Sequence, residues 1–225
     1  MIEEILPPEV ATAEAFDDAA PAVLFPAEEA AIARAVPKRR REFTTGRACA
    51  RAALAKLGLP PAPIVPGPRG APQWPAGVTG SITHCAGYRA SAVARLNDVA
   101  CIGLDAEPND ALPGGVLERI AVPQEQAWLP GLAAAVPGVS WDRLLFCAKE
   151  SVYKAWFPLT GRWLGFEQAA ITVEPEAGTF AAQLLEPADA LDGRRLAGFA
   201  GRWLASRGLI LTAIAVPRST GPERR

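Results

Sequence analysis

The hydrophobic period of this chain passes from helical to strand-like and then does so a second time, and that order restricts the fold more than any single motif. Residues 26–36 (PAEEAAIARAV) have helical spacing, with Pro26 at the start and acidic residues in the first turn. A longer helix is predicted over 38–57 (KRRREFTTGRACARAALAKL), stopped by Gly58 and the Pro60–Pro61 pair. Residues 60–77 contain seven prolines and read as a shaped loop around Arg69 and Trp74. The period then becomes two. SITH (81–84), YRASAVARL (88–96) and VACIGLDAE (99–107), separated by turns at Cys85–Gly87 and Asn97–Asp98, are expected to form an antiparallel meander that ends at Pro108. After a weak helix near 123–135, the plan recurs. A strong helix is predicted over 141–157 (WDRLLFCAKESVYKAWF), stopping at Pro158. Strands follow at 166–174, 178–186, 197–206 and 209–216, the last pair turning at Arg207–Gly208.

The expected fold is therefore α+β, with two pseudo-symmetric subdomains, each a helix plus an antiparallel meander, and the site in the cleft between them. The division is placed at 1–107 and 108–225, and the terminal STGPERR is expected to fray. A chain of 225 residues, half of them hydrophobic, supports a substantial core. Its net charge of −1 supplies no field that would draw it to nucleic acid or to a membrane surface. The N-terminus MIEEILPPEV is acidic and broken by prolines, unlike a signal peptide, and no apolar run approaches the roughly 20 residues that span a bilayer. Cys49, Cys85, Cys101 and Cys147 show no paired spacing and read as buried thiols in a reducing compartment, so a cytoplasmic protein is expected; the expected oligomeric state is a monomer.

Scarcity carries more information than abundance. Nineteen arginines accompany only four lysines, and His84 is the one histidine, which excludes a multi-histidine metal site within one chain. Lys149 and Lys154 flank Glu150 in FCAKESVYKAWF. Glu150 and Lys154 at i,i+4 could be a surface ion pair. At 100° per residue, however, the three charges span about 140° of the helix and share that arc with Phe146, Tyr153 and Phe157. Charges among aromatics need ligands or a metal to offset desolvation. In CIGLDAE, strand alternation puts Asp105 and Glu107 on one face, either as a solvated strand end or as oxygen donors for Mg²⁺. GAPQWPAGVTGSITHC exposes Ser81, Thr83 and His84 at a strand end, with Lys38, Arg39, Arg40, Arg41 and Arg47 upstream. That basic run is either a solvated helix start or a local match for a polyphosphate. Carboxylates, basic groups and one histidine are the parts for Mg²⁺-assisted chemistry at a phosphate or pyrophosphate. No G-x-S-x-G elbow is present for a serine hydrolase.

WPAGVTGSITHC, IGLDAE and FCAKESVYKAW, in this order, resemble the three signature motifs of the 4′-phosphopantetheinyl transferases, of the surfactin-activator type and the branch that includes enterobactin-pathway enzymes and actinobacterial relatives. RRREFTTGRACAR, WDRLLFCAKE and AWFPLTGRWLGFE extend the likeness over most of 37–173. The resemblance implies transfer of the 4′-phosphopantetheine arm of coenzyme A to a serine of an acyl or peptidyl carrier protein, or of a carrier domain of a polyketide or nonribosomal peptide synthase, releasing 3′,5′-ADP. It implies Asp105, Glu107 and Glu150 as the site for Mg²⁺, with Mn²⁺ as a substitute. Thr83 and His84 would contact coenzyme A phosphate, Arg39 and Arg47 its 3′-phosphate or adenine side, and Lys149 and Lys154 the pyrophosphate. Glu150 would deprotonate the acceptor serine, and Arg69 would stand in for a loop lysine of relatives, where this chain has Pro66. The alternatives are a non-catalytic module that binds coenzyme A or a carrier, and a Mg²⁺-dependent pyrophosphohydrolase.

Overall fold

Pro26 and Pro37 each open a helix, as a fixed φ and a missing N–H favour at a first turn. These are α1 (Pro26–Ala31) and α2 (Pro37–Lys56) in a computed structural model that describes residues 1–18 and 22–218. The STGPERR tail lies outside the described residues. Three further helices follow in the second half: α3 (Leu117–Ile120), α4 (Pro123–Ala135) and α5 (Trp141–Thr160). Pro158, expected to stop α5, sits within its last turn. The ring forfeits one helical hydrogen bond, and the chain leaves the helix only at Gly161, whose φ of 67° suits glycine and whose N–H donates to the Phe157 carbonyl at 2.8 Å.

The strands are β1 (Ala11–Ala15), β2 (Val78–Cys85), β3 (Tyr88–Arg95), β4 (Val99–Pro108), β5 (Ala169–Glu174), β6 (Thr179–Asp189), β7 (Arg195–Ser206) and β8 (Leu209–Pro217). All pair antiparallel, in a three-stranded sheet ordered β1-β3-β2 and a five-stranded sheet ordered β4-β8-β7-β6-β5. The α+β class holds. The first meander does not. β1, whose ATAEA sequence offers no large apolar residue to mark a face, takes one edge of β3 while β2 takes the other. With no β3 edge left, β4 pairs with β8, placing Asp105 opposite Thr212 and Glu107 opposite Ile210.

Each sheet receives a helix. Ala50, Ala53 and Leu54 of α2 pack on Val78 and Val93 of the small sheet. Leu144, Leu145, Ala148 and Val152 of α5 pack into the core of the large one, with Ile171, Ile210 and Ile214. Between the sheets a third apolar layer joins Tyr88 and Ala92 of β3 to Ile102, Leu104 and Leu211, closed off by Ile2 and Ile5. Gly103 sets the depth of α5: a Cβ there would stand 2.0 Å from the Ser151 carbonyl oxygen and 2.9 Å from the Ala155 nitrogen. The small-residue face of α5 therefore lies directly on β4. β2 runs beside β4 without a ladder, and hydroxyls bridge the seam: Ser81 Oγ accepts the Leu104 N–H at 3.1 Å, and Thr83 Oγ1 donates to Asp105 Oδ1 at 3.2 Å. Among the described residues, no helix is long and apolar enough to cross a membrane.

Candidate active site

The close packing of β4 on α5 brings the carboxylates and lysine together. Asp105 is two residues beyond Gly103 on the same strand face, so it meets the next turns of α5. Lys154 Nζ donates to Asp105 Oδ1 at 2.7 Å and to the Leu104 carbonyl at 3.0 Å. With Thr83 also on Oδ1, one oxygen of Asp105 is well held, while the other, Oδ2, is buried and has no hydrogen-bond partner among the described residues. Burial alone would depress the Lys154 ammonium, but the charges of Asp105 and Glu150 outweigh it and raise its pKa. Glu150, one helical turn before Lys154, makes no side-chain hydrogen bond or ion pair among the described residues. Burial first, and the Asp105 charge next, hold its carboxyl above the usual range. Glu107 is shifted upward by the same two causes, although Arg143 Nη1 donates to its Oε2 at 3.0 Å.

The opposite wall is basic. Arg47 is buried, its guanidinium 3.8 Å from the Phe43 ring centroid and its Nε donating to the Ile64 carbonyl at 2.9 Å; burial lowers its pKa to about 10. Arg39 Nη1 bonds His84 Nε2. Arginine can only donate, so Nε2 is the accepting nitrogen and the ring proton lies on Nδ1, 3.6 Å from Glu42 Oε2. Burial and then the Arg39 charge lower the His84 pKa to about 4, which keeps the imidazole neutral. Arg39, Arg47, Thr83, His84, Asp105, Glu107, Glu150 and Lys154 line one cleft of about 400 Å³.

Two residues implied by the resemblance are not in it. Lys149 points the other way, into α4: it is 3% exposed, pairs with Glu125 Oε2 at 2.8 Å, and donates to the Phe166 and Ala169 carbonyls at 2.7 and 2.9 Å. All three ammonium donors are thereby spent inside the core. Arg69 lies on the loop that lines a neighbouring cavity of about 590 Å³, which also receives Tyr153 and Phe157, and its guanidinium stands 4.9 Å over the Trp163 ring. Glu150 and Lys154 line both cavities.

Two family models match the chain. Residues 27–94 match the 4′-phosphopantetheinyl transferase N-terminal domain, and residues 101–200 match the 4′-phosphopantetheinyl transferase superfamily. Over 98% of this chain and 91% of its own length, the 4′-phosphopantetheinyl transferase Svp of Streptomyces mobaraensis is 58% identical.

The chain belongs to the 4′-phosphopantetheinyl transferases.

The 4′-phosphopantetheinyl transferase PptT of Mycobacterium tuberculosis is 49% identical, over 96% of this chain and 98% of its own. Enterobactin synthase component D of Salmonella typhi is more distant, 34% identical over 60% of this chain and 55% of its own length. The likeness to the two closer relatives reaches well past residues 37–173, to nearly the whole transferase. Two partners in this site escaped sequence reasoning. Arg143 lies seven residues before Glu150, two turns along the same stripe of α5, and that spacing is the signal that would have found it. Glu125 had no such signal, because it reaches Lys149 only through tertiary packing of α4.

Proposed function

We propose that this transferase moves the 4′-phosphopantetheine arm of coenzyme A to a serine of an acyl or peptidyl carrier protein, using Mg²⁺ and releasing 3′,5′-ADP. The observation that carries the reading is one cleft in which the unpartnered Glu150 and the Lys154–Asp105 pair face Arg39, Arg47 and His84. The basic wall suits the nucleotide phosphates, with Thr83 and His84 on a coenzyme A phosphate and Arg39 and Arg47 on its 3′-phosphate or adenine side. Residues 1–107 then supply the phosphate side, and residues 108–225 the α5 residues and the carrier side. The four unpaired cysteines fit a reducing, cytoplasmic setting.

No three His, Cys, Asp or Glu side chains among the described residues form a ready metal cage. The buried, unpartnered Oδ2 of Asp105 and the free Glu150 nonetheless suit a cation that takes one or two protein carboxylates and completes its shell with water and phosphate. Asp105 and Glu150 would hold it, with Glu107 as a third donor once released from Arg143. When bound, the cation supplies neutralising charge to the pyrophosphate oxygens.

The chain's own groups account for the rest. The serine oxygen attacks the β-phosphorus, the bond to the adenosine-side oxygen breaks, and charge grows on that leaving oxygen. Lys154, held by Asp105, sits where it can donate to the pyrophosphate as that charge develops. Glu150, the carboxylate of the cleft that no protein group engages among the described residues, takes the serine proton. Phe146 adds an apolar ring to the lining of the cleft. Lys149 has no part in this, because its ammonium is sealed against Glu125. The decisive experiment mixes the protein, coenzyme A, Mg²⁺ and apo carriers of several pathways. A mass gain on a carrier equal to one phosphopantetheine arm is expected, and no gain on any of them overturns the proposal.

A further inference from the structure

We propose that Arg143 is a positioning residue that competes with a divalent cation for the charge of Glu107, so that this ion pair weakens metal binding by the unliganded enzyme. The inference rests on the metal reading above and adds a residue to it. Glu107 lines the cleft together with Asp105 and Glu150, yet its Oε2 accepts Arg143 Nη1 at 3.0 Å.

The arginine is not a drifting surface cation. Its Nε donates to the Asp110 carbonyl at 3.0 Å and its Nη2 to the Ala111 carbonyl at 2.9 Å, which fixes the guanidinium on the loop after β4. That loop is itself tied to the start of α5. Asp142 Oδ2 accepts the Leu112 N–H at 2.8 Å, and Asn109 spans to the Ser140 N–H and the Gly138 carbonyl. A planar guanidinium anchored through two of its faces presents the third to one carboxylate in a set geometry.

Charge balance gives this contact its consequence. Three carboxylates face one small volume, and two cations, Lys154 and Arg143, each engage one of them. A divalent ion entering the cleft meets a single free carboxylate, Glu150, beside one open oxygen each of Asp105 and Glu107, the charge of Glu107 being offset by Arg143. Removing Arg143 frees the second oxygen and the full negative charge of Glu107, on the same strand face as Asp105. Losing an outer partner that supports a metal ligand typically costs 10- to 100-fold in affinity; Arg143 instead competes with the metal for the carboxylate charge, so its removal acts in the opposite direction.

The test reads metal binding, not turnover. Mn²⁺ is titrated into the full chain and free Mn²⁺ is followed by electron paramagnetic resonance, without and with coenzyme A. Without coenzyme A, Arg143→Gln is expected to bind Mn²⁺ about tenfold more tightly than wild type, and the gain disappears in the Arg143→Gln/Glu107→Gln double variant. The isosteric Glu107→Gln change covers the case in which Arg143→Gln does not fold. It is expected to alter Mn²⁺ affinity less than twofold, because Arg143 already offsets the charge of that carboxylate. A folded Arg143→Gln that binds no tighter, or a Glu107→Gln that loses tenfold without coenzyme A, overturns the role of Arg143 while leaving the metal site standing. Absence of Mn²⁺ binding to every form, with and without coenzyme A, overturns the metal reading and this inference with it.

Discussion

At the scale of single residues, the site turns on which charged groups have partners. Lys154 and Lys149 lie five positions apart on one helix, yet Lys154 faces the cleft while Lys149 is sealed beneath it. Glu150 between them is left free. Glu150→Gln is accordingly expected to lower transfer by about 10²- to 10⁴-fold, the range for loss of a general base, with an unchanged circular dichroism spectrum; turnover within threefold of wild type would remove Glu150 from the chemistry. His84 has a distinct pH signature. Its folded pKa is about 4 against 6.5 in the unfolded chain, so over that window the unfolded state binds a proton that the folded state does not. Stability contributed by neutral His84 is complete above pH 6.5 and is lost as pH falls toward 4. His84→Gln should therefore lose less of its melting temperature between pH 7 and pH 5 than wild type, and equal losses would show that the imidazole is not held neutral.

At the scale of elements, α5 is the part most readable from sequence, because its aromatic, small-residue and charged stripes repeat at helical spacing. The small stripe implied close packing, and Gly103 is the surface it packs on. A methyl group at Gly103 would collide with helix backbone, which cannot rotate away. Gly103→Ala is expected to destabilise by about 3 kcal/mol, the upper end for overpacking, and to reduce transfer by separating Asp105 from Lys154; urea melts and the carrier assay read the two effects. The buried Glu125–Lys149 pair makes a different prediction. Glu125→Ala leaves an uncompensated ammonium and two unmet backbone N–H groups, Val122 and Ile171, and should cost about 3–5 kcal/mol. Strands were less legible. β1 was missed because five small or polar residues carry no face, and β4 was assigned to the wrong neighbour because turn chemistry at Asn97–Asp98 reports that the chain reverses, not which edge is free.

At the scale of the whole molecule, the exchange of β4 into the larger sheet makes the two halves one folding unit. Its ladder partner β8 ends the described chain, and the layer between the sheets combines residues from both halves with Ile2 and Ile5. A fragment of residues 1–107 would expose the β8-facing edge of β4 and its face toward α5, so it is expected to show no cooperative thermal transition by calorimetry; a sharp transition would show that the first half folds alone. Taken by itself, the sequence determined the α+β class, nearly every helix, and the residue types of the site, because local periodicity and motif spacing depend only on near neighbours along the chain. Eight of the ten site residues named from sequence do share one cleft. Only the tertiary structure decided that β4 pairs with β8, that Lys149 belongs to Glu125, and that Arg143 holds Glu107. Each of those is a choice of partner made across at least 24 residues of chain. Which edge, carboxylate or cation is available at such a separation is set by packing, and no local pattern records it.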